Sequence, residues 1–336
     1  MSDTINRQVV LASRPEGIPQ AEHFRIVDAP MPVLSAGRVL VRNHYLSVEP
    51  AMRGWVNAAA NYSTPVGIGE VMRAFAAGEI VESMHPDWPV GTRVTGMFGW
   101  QEYAAVDPAM IDERVGYDDL PLSTALGVLG INGITAHYGL LQVGRPQPGQ
   151  TVVVSTGAGA VGSCVGQIAK RMGCRTVAIT GGEKKRQLCT ERFGYDAAVD
   201  YKQPDFAAKL AEACNGGVDV YFDNTSGTIS DEVMKHLAVG ARVVICGTAS
   251  IASWDPVPSG PRVERHLLVK RASMQGFVIL DHRDHYASAR KNLLQWVREG
   301  AIRYEEDILD GIEQAPGSIA SLYRGENLGK RLIRLG

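Results

Sequence analysis

The feature that most narrows the fold is the run Thr151-Val152-Val153-Val154-Ser155 passing into Gly157-Ala158-Gly159-Ala160-Val161-Gly162. A β-branched strand that opens onto G-x-G-x-x-G and then a helix is how a nucleotide-binding βαβ unit begins. The first glycine is expected to permit the tight turn, the second to let the backbone approach a pyrophosphate, and the third to let helix and strand pack closely. The pyrophosphate is expected at the start of the helix, at Ala160 and Val161, where free N–H groups and the helix dipole favour an anion. These residues point to a dinucleotide cofactor.

The next strand, Arg175-Thr176-Val177-Ala178-Ile179-Thr180, bears on which dinucleotide. An NAD-binding unit usually ends this strand with an acidic residue for the adenosine ribose hydroxyls. Here it ends in Gly181-Gly182-Glu183-Lys184-Lys185-Arg186. The two glycines leave room where the acid would stand, and three consecutive cations supply charge for a 2′-phosphate. NADP(H) is favoured over NAD(H), although Glu183 is still placed to reach a ribose hydroxyl.

At 336 residues the chain is long enough for two cores, and the central position of the glycine motif implies a separate domain ahead of it. A net charge of −2 with both signs interspersed offers no basic stripe, so neither nucleic acid nor a membrane surface is an expected partner. There is no early run of roughly 18 apolar residues and no charged-then-apolar start, so the protein is expected in the cytoplasm. The cysteines, Cys164, Cys174, Cys189, Cys214 and Cys246, are odd in number and none are spaced C-x-x-C, which argues against a disulfide framework and a thiolate zinc loop. His282-Arg283-Asp284-His285 has no third ligand type clustered beside it, and Asp281 reads as a helix N-cap. No metal is expected.

Short β-branched runs broken by Gly and Pro fill the chain to about residue 125, the texture of a compact β-rich domain. Leu122 to Leu141 is a long, mostly apolar stretch that can form helix despite its glycines. Beyond it, helices at 183–193, 204–214, 228–238 and 284–299 alternate with strands at 197–200, 218–222, 242–246 and 273–279, a pattern that predicts a parallel sheet. The Pro-rich segment from Trp254 to Pro261 cannot be a regular element and reads as a lid or pocket wall. The domains predicted are residues 1–125, completed by about 305–336, and residues 126–304.

The segments Tyr45–Trp55, Gly133–Leu140, Tyr221–Asn224 and Gly325–Lys330, taken together, resemble the medium-chain dehydrogenase/reductase superfamily. The likeness lies with its zinc-independent branch of leukotriene B4 dehydrogenase, prostaglandin reductases, alkenal double-bond reductases and curcumin reductase, and it covers nearly the whole chain. This implies an α/β fold: a doubly wound Rossmann sheet, a GroES-like β-rich catalytic domain closed by both termini, and a cleft between them. It also implies a homodimer and NADPH-dependent hydride transfer to the β-carbon of an α,β-unsaturated ketone or aldehyde, a small hydrophobic conjugated carbonyl. By the same resemblance Lys185 and Tyr201 would hold the 2′-phosphate beside Gly182, and Asn224 would contact the cofactor. Cys246, Gly247 and Thr248 would run along its nicotinamide half, Phe277, Val278 and Ile279 would offer backbone groups to the carboxamide, and Asn327 would reach it from the returning C-terminus.

The absent groups also bear on the chemistry. Every cysteine lies at or beyond position 164, so the first domain has no thiolate with which to hold a carbonyl-polarising metal. An enone needs no such electrophile, because hydride addition at its β-carbon spreads charge onto the carbonyl oxygen, where hydrogen-bond donors suffice. Relatives usually carry a tyrosine where this chain has Trp254, and some have one where it has Ala51. An indole N–H donates a hydrogen bond but is no general acid. Three routes for the proton stay open: Tyr62 substitutes, water protonates the enolate while Trp254 walls the pocket, or the acceptor differs, as with a quinone. The first competing function is an NADPH quinone oxidoreductase of the same superfamily. The second is a cofactor-binding protein with little turnover.

Overall fold

In the computed structural model residues 5–58, 62–254 and 256–336 are described; Asn61 and Asp255, which flank the tyrosine and the tryptophan singled out above, lie outside them. The chain divides into one unit of Met1–Leu126 with Glu306–Gly336 and a second of Gly127–Glu305. No helix among the described residues is long and apolar enough to cross a membrane.

The first unit opens with an antiparallel pair, β1 (Ile5–Leu11) and β2 (Phe24–Pro30). It continues through β3 (Val39–Ser47), the single-turn helix α1 (Met52–Trp55), β4 (Ala76–Ser83), β5 (Arg93–Gly96), β6 (Tyr103–Val106) and β7 (Ile111–Arg114). These strands pair antiparallel around β3, which bonds β4 along one edge and β6 at its start along the other.

The second unit holds β8 (Thr151–Ser155), α3 (Ala160–Arg171), β9 (Arg175–Thr180), α4 (Glu183–Gln187), β10 (Ala197–Asp200), α5 (Phe206–Ala213), β11 (Val218–Asp223), α6 (Gly227–Met234), β12 (Leu237–Ile245), α7 (Glu264–Lys270), β13 (Ser273–Gly276) and α8 (Tyr286–Arg298), preceded by α2 (Ile131–Tyr138). Its six strands are all parallel and ordered β10-β9-β8-β11-β12-β13, so the winding reverses between β8 and β11. Val153, Val177, Tyr221 and Val243 stand in register and share one apolar layer with Leu210 of α5 and Val233 of α6. Val154, Ala178, Phe222 and Val244 form the opposite row. Burial on both faces is why these strands read as unbroken apolar runs rather than as alternation. Each such side chain contributes about 1.5–3 kcal/mol on leaving water.

The apolar stretch 122–141 is not one helix. It breaks into a 3-10 turn (Leu122–Leu126), α2, and a π-helical segment (Gly139–Gly144). The chain doubles back so tightly that a Cβ on Gly133 would lie 1.8 Å from the carbonyl oxygen of Val128. A Cβ on Gly139 would fall 2.6 Å from the Phe277 ring and 2.8 Å from that of Phe222. Gly133 lets α2 pack onto the turn before it, and Gly139, where the π-helical segment begins, lets the chain pack against Phe222 of the sheet. Two further boundaries differ from the sequence reading. The 228–238 helix stops at Met234, because Leu237 is already paired with Val218. The last strand stops at Gly276, and Asp281 closes a 3-10 turn that starts at Ile279, so His285 rather than Asp281 sits at the N-cap of α8.

The chain then returns to the first unit through β14 (Glu306–Asp310), α9 (Ala315–Tyr323) and β15 (Lys330–Arg334). β15 pairs antiparallel with β3 and parallel with β14, giving the order β14-β15-β3-β4-β5-β7. Lys330, 3% exposed, donates to Ser47 Oγ at 2.6 Å, Glu49 Oε1 at 2.7 Å and the Val48 carbonyl at 3.1 Å. Burial pulls this ammonium below its ordinary pKa against the opposing charge of Glu49. Breaking such a pair strands a buried charge, so Lys330→Met is expected to cost about 3–5 kcal/mol in urea unfolding. Adding Glu49→Gln should return part of the loss; no recovery would show that the pair is not the source of it.

Candidate functional site

The glycine turn after β8 has a different division of labour from the one expected of it. The left-handed residue is Thr156, at φ 56°, and not Gly157. Gly157 is demanded by close approach instead, since its Cβ would lie 2.6 Å from the Cβ of Ala178 on β9. A Cβ on Gly162 would meet the Thr156 carbonyl oxygen at 2.2 Å, so this glycine lets α3 settle onto the turn. Gly159 is the N-cap of α3, in extended conformation and without a side-chain cap. The first-turn amides of Ala160, Val161 and Gly162 have no acceptor within the helix, the arrangement that binds a pyrophosphate. Tyr195 braces the far side, donating to the Gly162 carbonyl at 2.6 Å over the space left by Gly166.

At the end of β9 the three cations are not equivalent. Arg186 makes a two-pronged pair with Glu183, at 2.7 and 2.8 Å, and Gln187 donates to the same carboxylate. Glu183 is thereby turned onto its own helix, and Lys184 is exposed while Lys185 is half-buried. Gly182 has φ 89°, a conformation that favours glycine. Tyr201 follows β10 and its ring lies over Gly181, 3.0 Å from where a Cβ would be. Asp200 anchors this corner. Burial works against its carboxylate, but the amides of Gly182 and Lys202, the Gln203 side chain and the Lys202 charge together hold it below the usual range.

The end of β11 is organised by Asp223, 1% exposed. Its Oδ1 accepts from the backbone of Thr225 at 2.9 Å and Ser226 at 2.8 Å, from Tyr221 Oη at 3.1 Å, and from Ser155 Oγ and Thr225 Oγ1. Ser230 Oγ donates to Oδ2. Asn224 bonds across the switch point to β8, its amide nitrogen on the Ser155 carbonyl at 2.7 Å and its backbone N–H on Ser155 Oγ at 2.8 Å. The Asp223 carbonyl accepts from Cys246 and Gly247, and a Cβ on Gly247 would lie 3.0 Å from the Asn224 carbonyl oxygen. Burial, with Asp223 adding, pushes the Cys246 thiol up to about 12, so it is no thiolate nucleophile. Ser250 Oγ ties the loop beyond Thr248 to the Thr225 and Ser226 carbonyls.

Phe277 directs its ring at Tyr138, 5.5 Å between centroids, so its side chain is packing. Phe277 and Val278 lie beyond the last ladder pair, and Ile279 belongs to the following 3-10 turn rather than to β13. The parallel sheet therefore brings Gly157–Gly162, Gly182, Lys185, Tyr201, Asn224, Cys246–Thr248 and Phe277–Ile279 to one edge, the carboxyl ends of its strands. Trp254 stands on the loop beyond Ser250 and is 58% exposed.

Tyr62 and Asn327 belong to the first unit. Asn327 is buried and donates to the Gly329 carbonyl at 2.7 Å. Tyr62 is exposed, and its electrostatic neighbour is a phenol that sequence reasoning missed, Tyr323. Tyr323 donates to the Pro50 carbonyl at 2.8 Å beneath the guanidinium of Arg53, 4.7 Å from its ring centre. Burial raises the Tyr323 phenol to about 12 against the charge of Arg53, with Tyr62 adding to the rise. No spacing signals this pairing, because it is made by the return of α9 to the turn after β3.

Asp223 offers a direct check on how the site is held. Asp223→Ala leaves several buried donors without an acceptor and should cost at least about 3 kcal/mol in chemical denaturation, whereas Asp223→Asn should cost about 1 kcal/mol. Equal losses would mean that the carboxylate is not what organises the strand ends.

Two family descriptions match the chain: N-terminal domain of oxidoreductase over residues 7–113 and Zinc-binding dehydrogenase over residues 160–298. The chain is 42% identical to the NADPH-dependent curcumin reductase of Escherichia coli (strain K12), over 98% of this chain and 97% of that one. It is 32% identical to the 2-alkenal reductase (NADP(+)-dependent) of Nicotiana tabacum, over the same shares. The crystal structure of CurA from Vibrio vulnificus in complex with NADPH is similar at a TM-score of 0.93 and 41% identity, covering 98% of this chain and 99% of that one. With no cysteine before Cys164, the first unit brings no thiolate to the zinc of the second description. The chain belongs to the medium-chain dehydrogenase/reductase superfamily, in its zinc-independent branch of reductases.

Proposed function

We propose that this protein is an NADPH-dependent reductase of the C=C bond in α,β-unsaturated ketones and aldehydes. The observation that carries the reading is the near full-length likeness to the NADPH-dependent curcumin reductase of Escherichia coli (strain K12). The N-terminus of α3, left without a side-chain cap at Gly159, and the acid-free end of β9 fit the cofactor. When bound, NADPH supplies hydride to the β-carbon of the conjugated carbonyl. The amides of Ala160 to Gly162 hold its pyrophosphate and Gly182, Lys185 and Tyr201 its 2′-phosphate. Asn224, Cys246, Gly247 and Thr248 line the rest, with backbone groups of Phe277 to Ile279 at the carboxamide, and Asn327 is a further cofactor contact.

The substrate side rests on Trp254 and Tyr62. A flat conjugated acceptor suits an indole wall, and an enolate carbon takes its proton from water without a dedicated acid. On this reading Trp254→Phe keeps most of kcat and changes substrate preference, and Tyr62→Phe also keeps most of it. A loss of about 100-fold or more in Tyr62→Phe would make that phenol the general acid. The activity test follows reduced-nicotinamide absorbance with chelator-treated protein and compares an enone, a short quinone and a saturated ketone. Enone-dependent consumption of NADPH is expected. Consumption with quinone alone would assign a quinone oxidoreductase, and none with any acceptor would leave a cofactor-binding protein.

The assembly is a homodimer joined through β13. That strand lies at the sheet edge with all four residues exposed, beside Leu268, 79% exposed, and Val269, 57% exposed, on α7. Such an edge is a template for pairing with a second copy. Met274→Lys should give the monomer mass in light scattering; an unchanged mass would refute this interface.

A further inference from the structure

We infer that Lys202 is a specificity-determining residue for the cofactor, binding the adenosine 2′-phosphate in the place where an NAD-binding unit would carry its acid. This rests on the cofactor reading above. The observation behind it is the environment of Gly181, the first residue beyond β9. A Cβ added there would lie 2.9 Å from Lys202 Cε and 3.0 and 3.1 Å from the Tyr201 ring. The space vacated by the missing acidic side chain is thus occupied by the stem of a lysine and the face of a tyrosine.

The backbone under Lys202 is fixed. Its N–H donates to Asp200 Oδ1 at 3.0 Å, and the N–H of Tyr201 donates to the Thr180 carbonyl at 3.0 Å. Asp200 also takes the Gly182 amide, so one buried carboxylate joins the turn after β9 to the turn after β10. The stem of Lys202 is held at the corner by a turn fixed at both ends, and the helix that bears Lys184, Lys185 and Arg186 starts beside it at Gly182.

Charge makes the same point. Lys184, Lys185 and Arg186 share this corner with two carboxylates, Glu183 and Asp200, and Arg186 is committed to Glu183. That leaves a surplus of one positive charge. A phosphate monoester carries about −1.5 to −2 at neutral pH. Lys202 raises the surplus to two, which matches it. The competing role, neutralising Asp200 alone, predicts a different response to mutation.

The test is calorimetric binding of 2′,5′-ADP and of 5′-AMP to the full chain, free of substrate, together with thermal melting of the unliganded protein. Wild type should prefer 2′,5′-ADP. Lys202→Met should weaken 2′,5′-ADP about tenfold or more, the scale of one charge-assisted contact, and leave 5′-AMP within about twofold. Lys202→Arg should restore most of the preference, and Gly181→Asp, which sets a carboxylate against Lys202, should abolish it. Unchanged binding of both ligands by Lys202→Met would overturn the inference while leaving the cofactor reading intact. So would equal weakening of both, or a fall in melting temperature without a change in preference, since either marks Lys202 as a partner of Asp200 only. A wild-type protein without preference for 2′,5′-ADP would overturn the inference and the NADPH reading together.

Discussion

A carboxylate buried without a cation among its hydrogen-bond donors holds the second unit in working order. Taking Asp223 out of water is costly unless its oxygens are saturated with donors. They are, by hydroxyls of β8, β11 and α6 and by the amides of the turn between β11 and α6. Because those groups come from both sides of the point where the strand order reverses, one side chain fixes the crevice in which such sheets bind their ligands. Asn224 shares Ser155 Oγ with this carboxylate, and Cys246 and Gly247 bond to the carbonyl of Asp223 itself.

The first unit solves a similar problem with opposite chemistry. Lys330 and Glu49 form an ion pair at 2.7 Å, both nearly out of reach of water, with Ser47 completing the set. The pair fixes the turn that follows β3, and from that turn rise Pro50, Arg53 and the contacts to Tyr323. In each unit a buried charge defines a short stretch of backbone next to residues proposed to meet cofactor or substrate.

Much of this was legible in the sequence for a physical reason: a parallel strand buried on both faces reads as an apolar run, and the glycines of the β8 turn have no substitute at 2.2–2.8 Å clearances. The features that were not legible depend on partners distant in sequence. Gly133 is needed only because Val128 folds back onto it, and Tyr323 meets Arg53 only because β15 pairs with β3. The turn at Thr156 misleads differently, since the strained position fell to a threonine one residue before the glycine expected to take it. Arg186 was counted with the phosphate cations although a glutamate three residues earlier claims it.

The position of β15 in its sheet has a consequence for how the protein comes off the ribosome. β15 lies inside the first unit's sheet, between β14 and β3, yet it is translated after the whole of the second unit. Until then the nascent chain presents part of β3 as an unpaired edge, and Ser47 and Glu49 wait for their lysine. The continuous second unit is free to fold in the meantime, so the half translated first is the half finished last. Translation stalling late in the chain would leave a nucleotide-binding unit in order beside an open sheet edge, the kind of intermediate that chaperones retain and that aggregates when they do not.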